Sequence, residues 1–287
     1  MHPDLVITYR HHPVTAEPHY LGQLAVEAVA EQVRRQLGCG DDGPLAVELE
    51  RLTEIRSLRV NGVSYGLEWS TSDPVTDDDG SPVLGVCEFD PQGLPDTALI
   101  SVNPEPIEGR RELLLSTAAH ELGHGIFDAA AWIHGHQRNS APGLFDLIEP
   151  SAPMRVWRTT TRDEGHFTAS HAPGTKLFFQ ESRANDFMGS VLTPRLSLTH
   201  QFLLHCQVLN LDPSPLMSTT TYSLLLKPEG AVPTAPRKGN LGFLNLDLRL
   251  GLAEVLSLLA MEFGVTRRFI EVRLKRYGLL PQAMPTL

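Results

Sequence analysis

Apolar residues recur along this chain with two different periods, and each change of period marks an element. Leu21, Ala25, Val29, Val33 and Leu37 fall four residues apart, which predicts a helix from about Tyr20 to Leu37 with Gly38 as its stop. Leu45, Leu49, Leu52 and Ile55 predict a second, short helix starting near Pro44, a good first helical residue. Residues 57–63 then alternate as a strand does, and residues 65–69 continue that strand or pair with it. Residues 83–89 and 97–102 predict two more strands, and Asn103-Pro104 closes the sheet. Between them, residues 73–80 lack the D-x-D-x-D-G spacing of a calcium loop and read as an acidic hairpin turn.

The helical period returns near Glu108, where Leu114, Ala118, Leu122 and Ile126 make a buried stripe. Residues 129–173 then show no long periodic element. They carry Trp132, Trp157 and four histidines, His134, His136, His166 and His171, and are expected to form an insertion that either closes over a cleft as a lid or lies passively on the surface. Leu177, Ala184, Phe187, Met188 and Val191 restore a one-sided helix that ends at Pro194, and residues 196–209 predict another. Residues 211–240 read as a connector rich in Pro, Ser, Thr and Gly. Two last helices, residues 246–263 and 266–277, meet at Gly264-Val265. The polar residues 1–19 read as a loose arm whose histidines, His11, His12 and His19, face solvent. The pattern predicts an α+β protein: a domain over residues 1–210 with a small sheet beside one helix, the connector, and a helical region over residues 241–287.

Composition narrows the possibilities. With 287 residues, 41% hydrophobic and 20% charged, the chain has enough apolar material for a folded core. A formal net charge of −10 disfavours non-specific binding of nucleic acid by the whole surface. Cys39, Cys87 and Cys206 are odd in number, far apart and never in C-x-x-C spacing, so a disulfide framework and a cysteine-rich zinc site are both disfavoured. The reading is three reduced, buried thiols in a cytoplasmic protein. The first residues lack the apolar core of a signal peptide, and no apolar run approaches the length of a membrane span.

Chemistry concentrates at His120-Glu121-Leu122-Gly123-His124. On a helix, positions four apart share a face, so His120 and His124 can converge on one metal ion with Glu121 between them as a base. Gly123 costs about 1 kcal/mol relative to alanine in a helix interior, which is tolerable if something packs close to the backbone. A hydrolytic zinc site needs a third protein ligand and one position for water. The metzincin arrangement would put glycine at Phe127 and histidine at Ala130, so it is excluded. Glu181, which opens the later helix, is the candidate third ligand. Asn185, one turn on, and Asp128, one turn after His124, are candidates for orienting the ligands by hydrogen bonds.

The run Glu181-Ser182-Arg183-Ala184-Asn185-Asp186-Phe187-Met188, ending at Val191-Leu192-Thr193-Pro194, resembles the E-x-x-A-N-x-F-A…L-x-P signature of the ImmA/IrrE metallopeptidases. The order of parts is similar too. Ile100-Ser101-Val102-Asn103 precedes the H-E-x-x-H helix, the glutamate helix follows, and residues 259–274 resemble that family's L-A-x-x-F-x-V-S…R-L ending. Here the histidine-to-glutamate spacing is longer, and methionine stands at 188 in place of the usual alanine. The resemblance implies a zincin-like core, with Zn2+ held by His120, His124 and Glu181 and Glu121 as catalytic base. It also implies a regulatory, site-specific protease whose substrate is a helix-turn-helix repressor of the XRE type. A histidine of the insertion or Tyr222 is the candidate donor to the oxyanion.

Two other readings stand beside this one. Arg267, Arg268, Arg273, Lys275 and Arg276 make the last helix basic after a Gly264-Val265-Thr266 corner. That suits a helix-turn-helix contacting DNA, in a regulator whose zinc site is structural; the opposed reading is a packing unit or a docking surface. The other is a phage-defence or toxin-type protease with a different protein target.

Overall fold

The computed structural model describes residues 5–40, 43–107, 109–139, 153–159, 174–217 and 246–282. The chain divides into two compact units, Met1–Leu192 and Thr193–Leu287. Helix α7 (Arg195–Val208) thereby groups with the C-terminal helices, although the sequence pattern places it in the first domain.

In the first unit six strands form one mixed sheet: β1 (Leu5–Ile7), β2 (Ser57–Val60), β3 (Val63–Ser70), β4 (Val83–Phe89), β5 (Thr97–Val102) and β6 (Met154–Thr159). Their spatial order is β1-β2-β3-β5-β4-β6. The pairs β1–β2 and β3–β5 are parallel and the other three antiparallel. Residues 65–69 are thus the partner of β2. The two residues that turn the chain, Asn61 and Gly62, both have positive φ, 52° and 90°, the backbone a tight two-residue hairpin requires. Val63, Tyr65 and Leu67 of β3 alternate inward, whereas β4 is buried at every position but Glu88. A strand covered on both faces loses its alternation and reads as a continuous apolar run. The acidic segment closes as a turn, with Asp77 Oδ1 accepting from the backbone of Asp79 and Ser81 at 3.0 and 2.8 Å.

The helices of this unit are α1 (Gln23–Gln36), α2 (Leu49–Thr53), α3 (Pro104–Ile107), α4 (Arg111–His124), α5 (Ala130–Asn139) and α6 (Lys176–Leu192). Helix α4 packs on β4 and β5, and α6 packs on both α1 and α4. The buried face of α1 is Val26, Val29, Ala30 and Val33; Ala25 is exposed, and α1 begins at Gln23, three residues later than its spacing predicts. Helix α2 likewise begins at Leu49, not near Pro44. Leu177, at the start of α6, is 45% exposed, while Ala184, Phe187, Met188 and Val191 are buried as expected.

Two larger expectations are overturned. The N-terminal arm is not loose: Leu5 and Ile7 are fully buried in β1, and the Tyr9 hydroxyl donates to the Ile126 carbonyl at 3.1 Å. A three-residue strand is too short to announce itself by alternation. The stretch after His124 is not irregular either. Helix α4 runs through a wider π turn, Gly125–Ala129, directly into α5, and residues 154–159 add strand β6 beside β4. Within 129–173 the described residues therefore extend the helix and the sheet, and residues 140–152 and 160–173 of the expected lid lie outside the described residues. His166, His171, Tyr222 and most of the connector lie outside the described residues.

In the second unit, α7, α8 (Leu246–Phe263) and α9 (Arg267–Arg276) form a helical group. His205 Nε2 lies 2.9 Å from Glu262 Oε1, linking α7 to α8. Gly264, at φ 65°, ends α8, and Thr266 caps α9 by accepting from Phe269 N at 3.1 Å. Among the described residues no helix is long and apolar enough to cross a membrane. All three cysteines are free and buried.

Candidate metal centre

Helices α4 and α6 approach closely where Gly123 meets Ala184. A side chain at Gly123 would put its Cβ 3.1 Å from the Ala184 Cα and 3.2 Å from the Phe187 ring. The glycine inside H-E-x-x-H is thus what lets α6 approach. Glu181, one turn before Ala184, is thereby carried up to the two imidazoles.

The three predicted ligands do come together. His120 and His124 are fully buried, and Glu181 is nearly so. Glu181 Oε2 is 3.4 Å from His120 Nε2, Glu181 Oε1 is 3.2 Å from His124 Nε2, and the two Nε2 atoms are 3.1 Å apart. Ligands about 2.0–2.1 Å from a tetrahedral ion stand about 3.3 Å from one another. Each imidazole faces its own oxygen of the Glu181 carboxylate, and one ligand atom from each of the three residues lies within 4.8 Å of the others, close enough to hold a metal ion. Among the described residues this is the one group of three or more such side chains gathered closely enough to hold an ion.

The groups behind the rings decide which way the nitrogens point. His124 Nδ1 lies 2.8 Å from Asp128 Oδ2, and His120 Nδ1 lies 3.1 Å from Asn185 Oδ1. Both neighbours are acceptors, so each ring carries its N–H on Nδ1 and turns the lone pair of Nε2 toward Glu181. Asp128 is held in turn: Gln180 Nε2 and Arg183 Nη2 donate to its Oδ1 at 2.9 and 2.8 Å. Asn185 and Asp128, the two candidates for orienting the rings, thus each contact one imidazole.

Three lone pairs converging in a buried place repel one another unless positive charge lies among them. Without a metal, a proton is the substitute. Burial pulls the His124 pKa down, but the charge of Glu181 and the hydrogen bonds of Asp128 and Glu181 outweigh it and raise the value to about 10. Burial likewise raises the Glu181 carboxyl, and the charge of His124 with bonds from both rings brings it well below the ordinary range. Asp128 is depressed too, its burial overcome by His124 and Arg183.

Glu121 is fully buried on the face of α4 that meets β4, beside Gly85. The two rival histidines among the described residues stand elsewhere. His134 Nε2 is 3.2 Å from the Val14 carbonyl, and the His136 ring packs edge-on against Phe89. Sequence reasoning missed the second layer of support. Gln180 and Arg183 stand three apart on α6, on either side of Glu181, a helical spacing that was legible. Tyr65, whose hydroxyl donates to the Gly125 carbonyl at 2.7 Å, and Tyr9, which does the same for Ile126, fasten the π turn that brings Asp128 to His124. They reach the site from distant positions and leave no local pattern.

The basic C-terminal helix is arranged differently. Glu271, itself buried, sits 3.0 Å from Arg268 Nη1 and 2.7 Å from Lys275 Nζ. Arg273 is fully buried, and its guanidinium lies over the Tyr277 ring at 4.7 Å while Arg195 lies over the same ring at 4.8 Å.

The α+β fold and the buried His–His–Glu group define a protein able to hold a metal ion. No protein-family model matches the chain, and no curated protein or solved structure matches it either.

Proposed function

We propose that this protein is a zinc-dependent endopeptidase with a zincin-like core. The observation that supports this most is the meeting of His120 Nε2, His124 Nε2 and the two oxygens of Glu181, with both rings aimed by acceptors on Nδ1. Two imidazoles and one carboxylate are a donor set common to hydrolytic zinc sites. When bound, the ion supplies Lewis acidity, acidifying water and polarising a carbonyl oxygen. His120 and His124 hold it as neutral donors, and Glu181 contributes negative charge. Asp128 and Asn185 keep the two imidazoles in the tautomer this requires. The Glu121 carboxylate accepts the proton of the attacking water and returns it to the departing amine.

The resemblance to the ImmA/IrrE metallopeptidases supports a regulatory role, with a helix-turn-helix repressor of the XRE type as substrate. The DNA-contact reading of α9 has less support, because Arg268, Arg273 and Lys275 are already engaged within their own unit.

Glu121→Gln tests the proposal. It should retain one metal ion per chain, measured by mass spectrometry, while cleavage of the repressor falls by about 10²–10⁴-fold. Cleavage at the wild-type rate by that variant would end the peptidase reading.

A further inference from the structure

Gly85 stands in the middle of β4, in the run Val83-Leu84-Gly85-Val86-Cys87, where every neighbour is buried. Glycine weakens a strand interior, so its presence needs a cause. Conformation is not the cause, since Gly85 is not among the glycines with positive φ. Space is. A Cβ at this position would fall 2.7 Å from Thr117 Cγ2, 2.9 Å from Glu121 Cγ and 2.9 Å from Glu121 Oε1. Thr117 and Glu121 are one turn apart on α4 and both fully buried, so neither can swing into solvent. A second feature marks the same place: the register of β4 with β6 shifts between Val83 and Gly85, an irregularity of the kind that re-aims side chains beside active sites.

We propose that Gly85 is a positioning residue for Glu121. The missing side chain is the space in which the base is seated. Its effect on the reaction is separable from any effect on the ion. On its other side α4 is clamped against α6 at Gly123 and Ala184, where the ligands meet. A methyl group added at position 85 therefore displaces the Glu121 carboxylate before it displaces His120 or His124. The inference rests on the peptidase reading and adds to it a residue outside the H-E-x-x-H motif.

The test compares Gly85→Ala with wild type and with Glu121→Gln, each loaded with zinc for kinetics and with cobalt for its visible spectrum. Gly85→Ala should bind zinc within about threefold of wild type and keep the wild-type cobalt spectrum. Its kcat should fall by about 10²-fold with KM changed less than threefold. Adding Thr117→Ser removes the methyl contact at 2.7 Å, so the double variant should regain melting temperature but not kcat. Four results overturn the inference: a wild-type kcat in Gly85→Ala, lost metal, an altered cobalt spectrum, or kcat recovered with Thr117→Ser. The peptidase reading fails separately, by turnover surviving in Glu121→Gln.

Discussion

Two helices carry concentrated chemistry, α4 in the first unit and α9 in the second, and they dispose of their charges in opposite ways. On α4, acceptors placed behind the imidazoles turn both Nε2 lone pairs inward to meet a carboxylate. The group is left needing a positive charge at its centre. On α9 three of the five basic residues find counterparts nearby: Glu271 takes Arg268 and Lys275, and the Arg273 guanidinium lies over the Tyr277 ring. In sequence both stretches look like sites, one by its histidines and one by its cations. Whether the polar groups are satisfied among themselves or held unsatisfied toward a common point is what separates a packing unit from a binding centre.

Removing the support behind one imidazole tests that distinction most severely. Asp128→Ala takes away the acceptor for His124 Nδ1 and the partner of Gln180 and Arg183. Zinc affinity, measured by competition with a chromophoric chelator, should fall by about 10–100-fold, the usual loss when such a partner is removed. Asp128→Asn keeps an acceptor but not the charge and should fall at the low end of that range. An affinity within twofold of wild type in Asp128→Ala would mean that the ring is held by other means.

The pH dependence comes next in size. His124 in the metal-free protein holds its proton up to about pH 10, against 6.5 for an ordinary histidine. Metal binding displaces that proton, so affinity should rise about tenfold per pH unit between about pH 7 and 9. For a group whose pKa is raised by folding, the stabilisation is full below the unfolded value and is lost as pH climbs through the folded one. Glu181 and Asp128 are depressed, so their contribution is present above the ordinary carboxylate range and is lost on acidification. The metal-free protein should accordingly melt highest in mildly acidic buffer and lose melting temperature toward pH 10, and added zinc should protect most at the alkaline end. A metal-free melting temperature that climbs from pH 7 to 10 would contradict the arrangement of lone pairs described above.

The same contrast explains what was legible in the chain. The H-E-x-x-H residues announce themselves because a helix places i and i+4 together, and Glu181 and Asn185 share a face for the same reason. Strands β4 and β5 are bounded by turn residues and carry the apolar run or alternation of buried strands, so their limits agree with the pattern. Strand β1 is three residues long and pairs in parallel with a segment some fifty positions away, a contact no local period encodes. The four-residue repeat holds through Ile126 and Ala130, both buried, and ends at His134, beyond which α5 carries only Gly, His, Gln, Arg and Asn. The place of Glu121 against Gly85 was hidden for another reason: a glycine inside a strand signals close approach but does not say of what.

The smallest effect sharpens the other side of the comparison. Thr266 caps α9 through its hydroxyl, and Thr266→Ala should cost about 1 kcal/mol, read as a lower midpoint in urea with the zinc affinity unchanged. If α9 were a DNA-reading helix, a duplex would bind the folded state and raise the melting temperature of wild type and variant alike. With Arg268, Lys275 and Arg273 already committed inside the unit, added duplex at physiological salt should leave both unchanged. A duplex-dependent rise of several degrees that vanishes in Arg267→Ala, the exposed cation of α9, would instead place the basic helix among the binding surfaces.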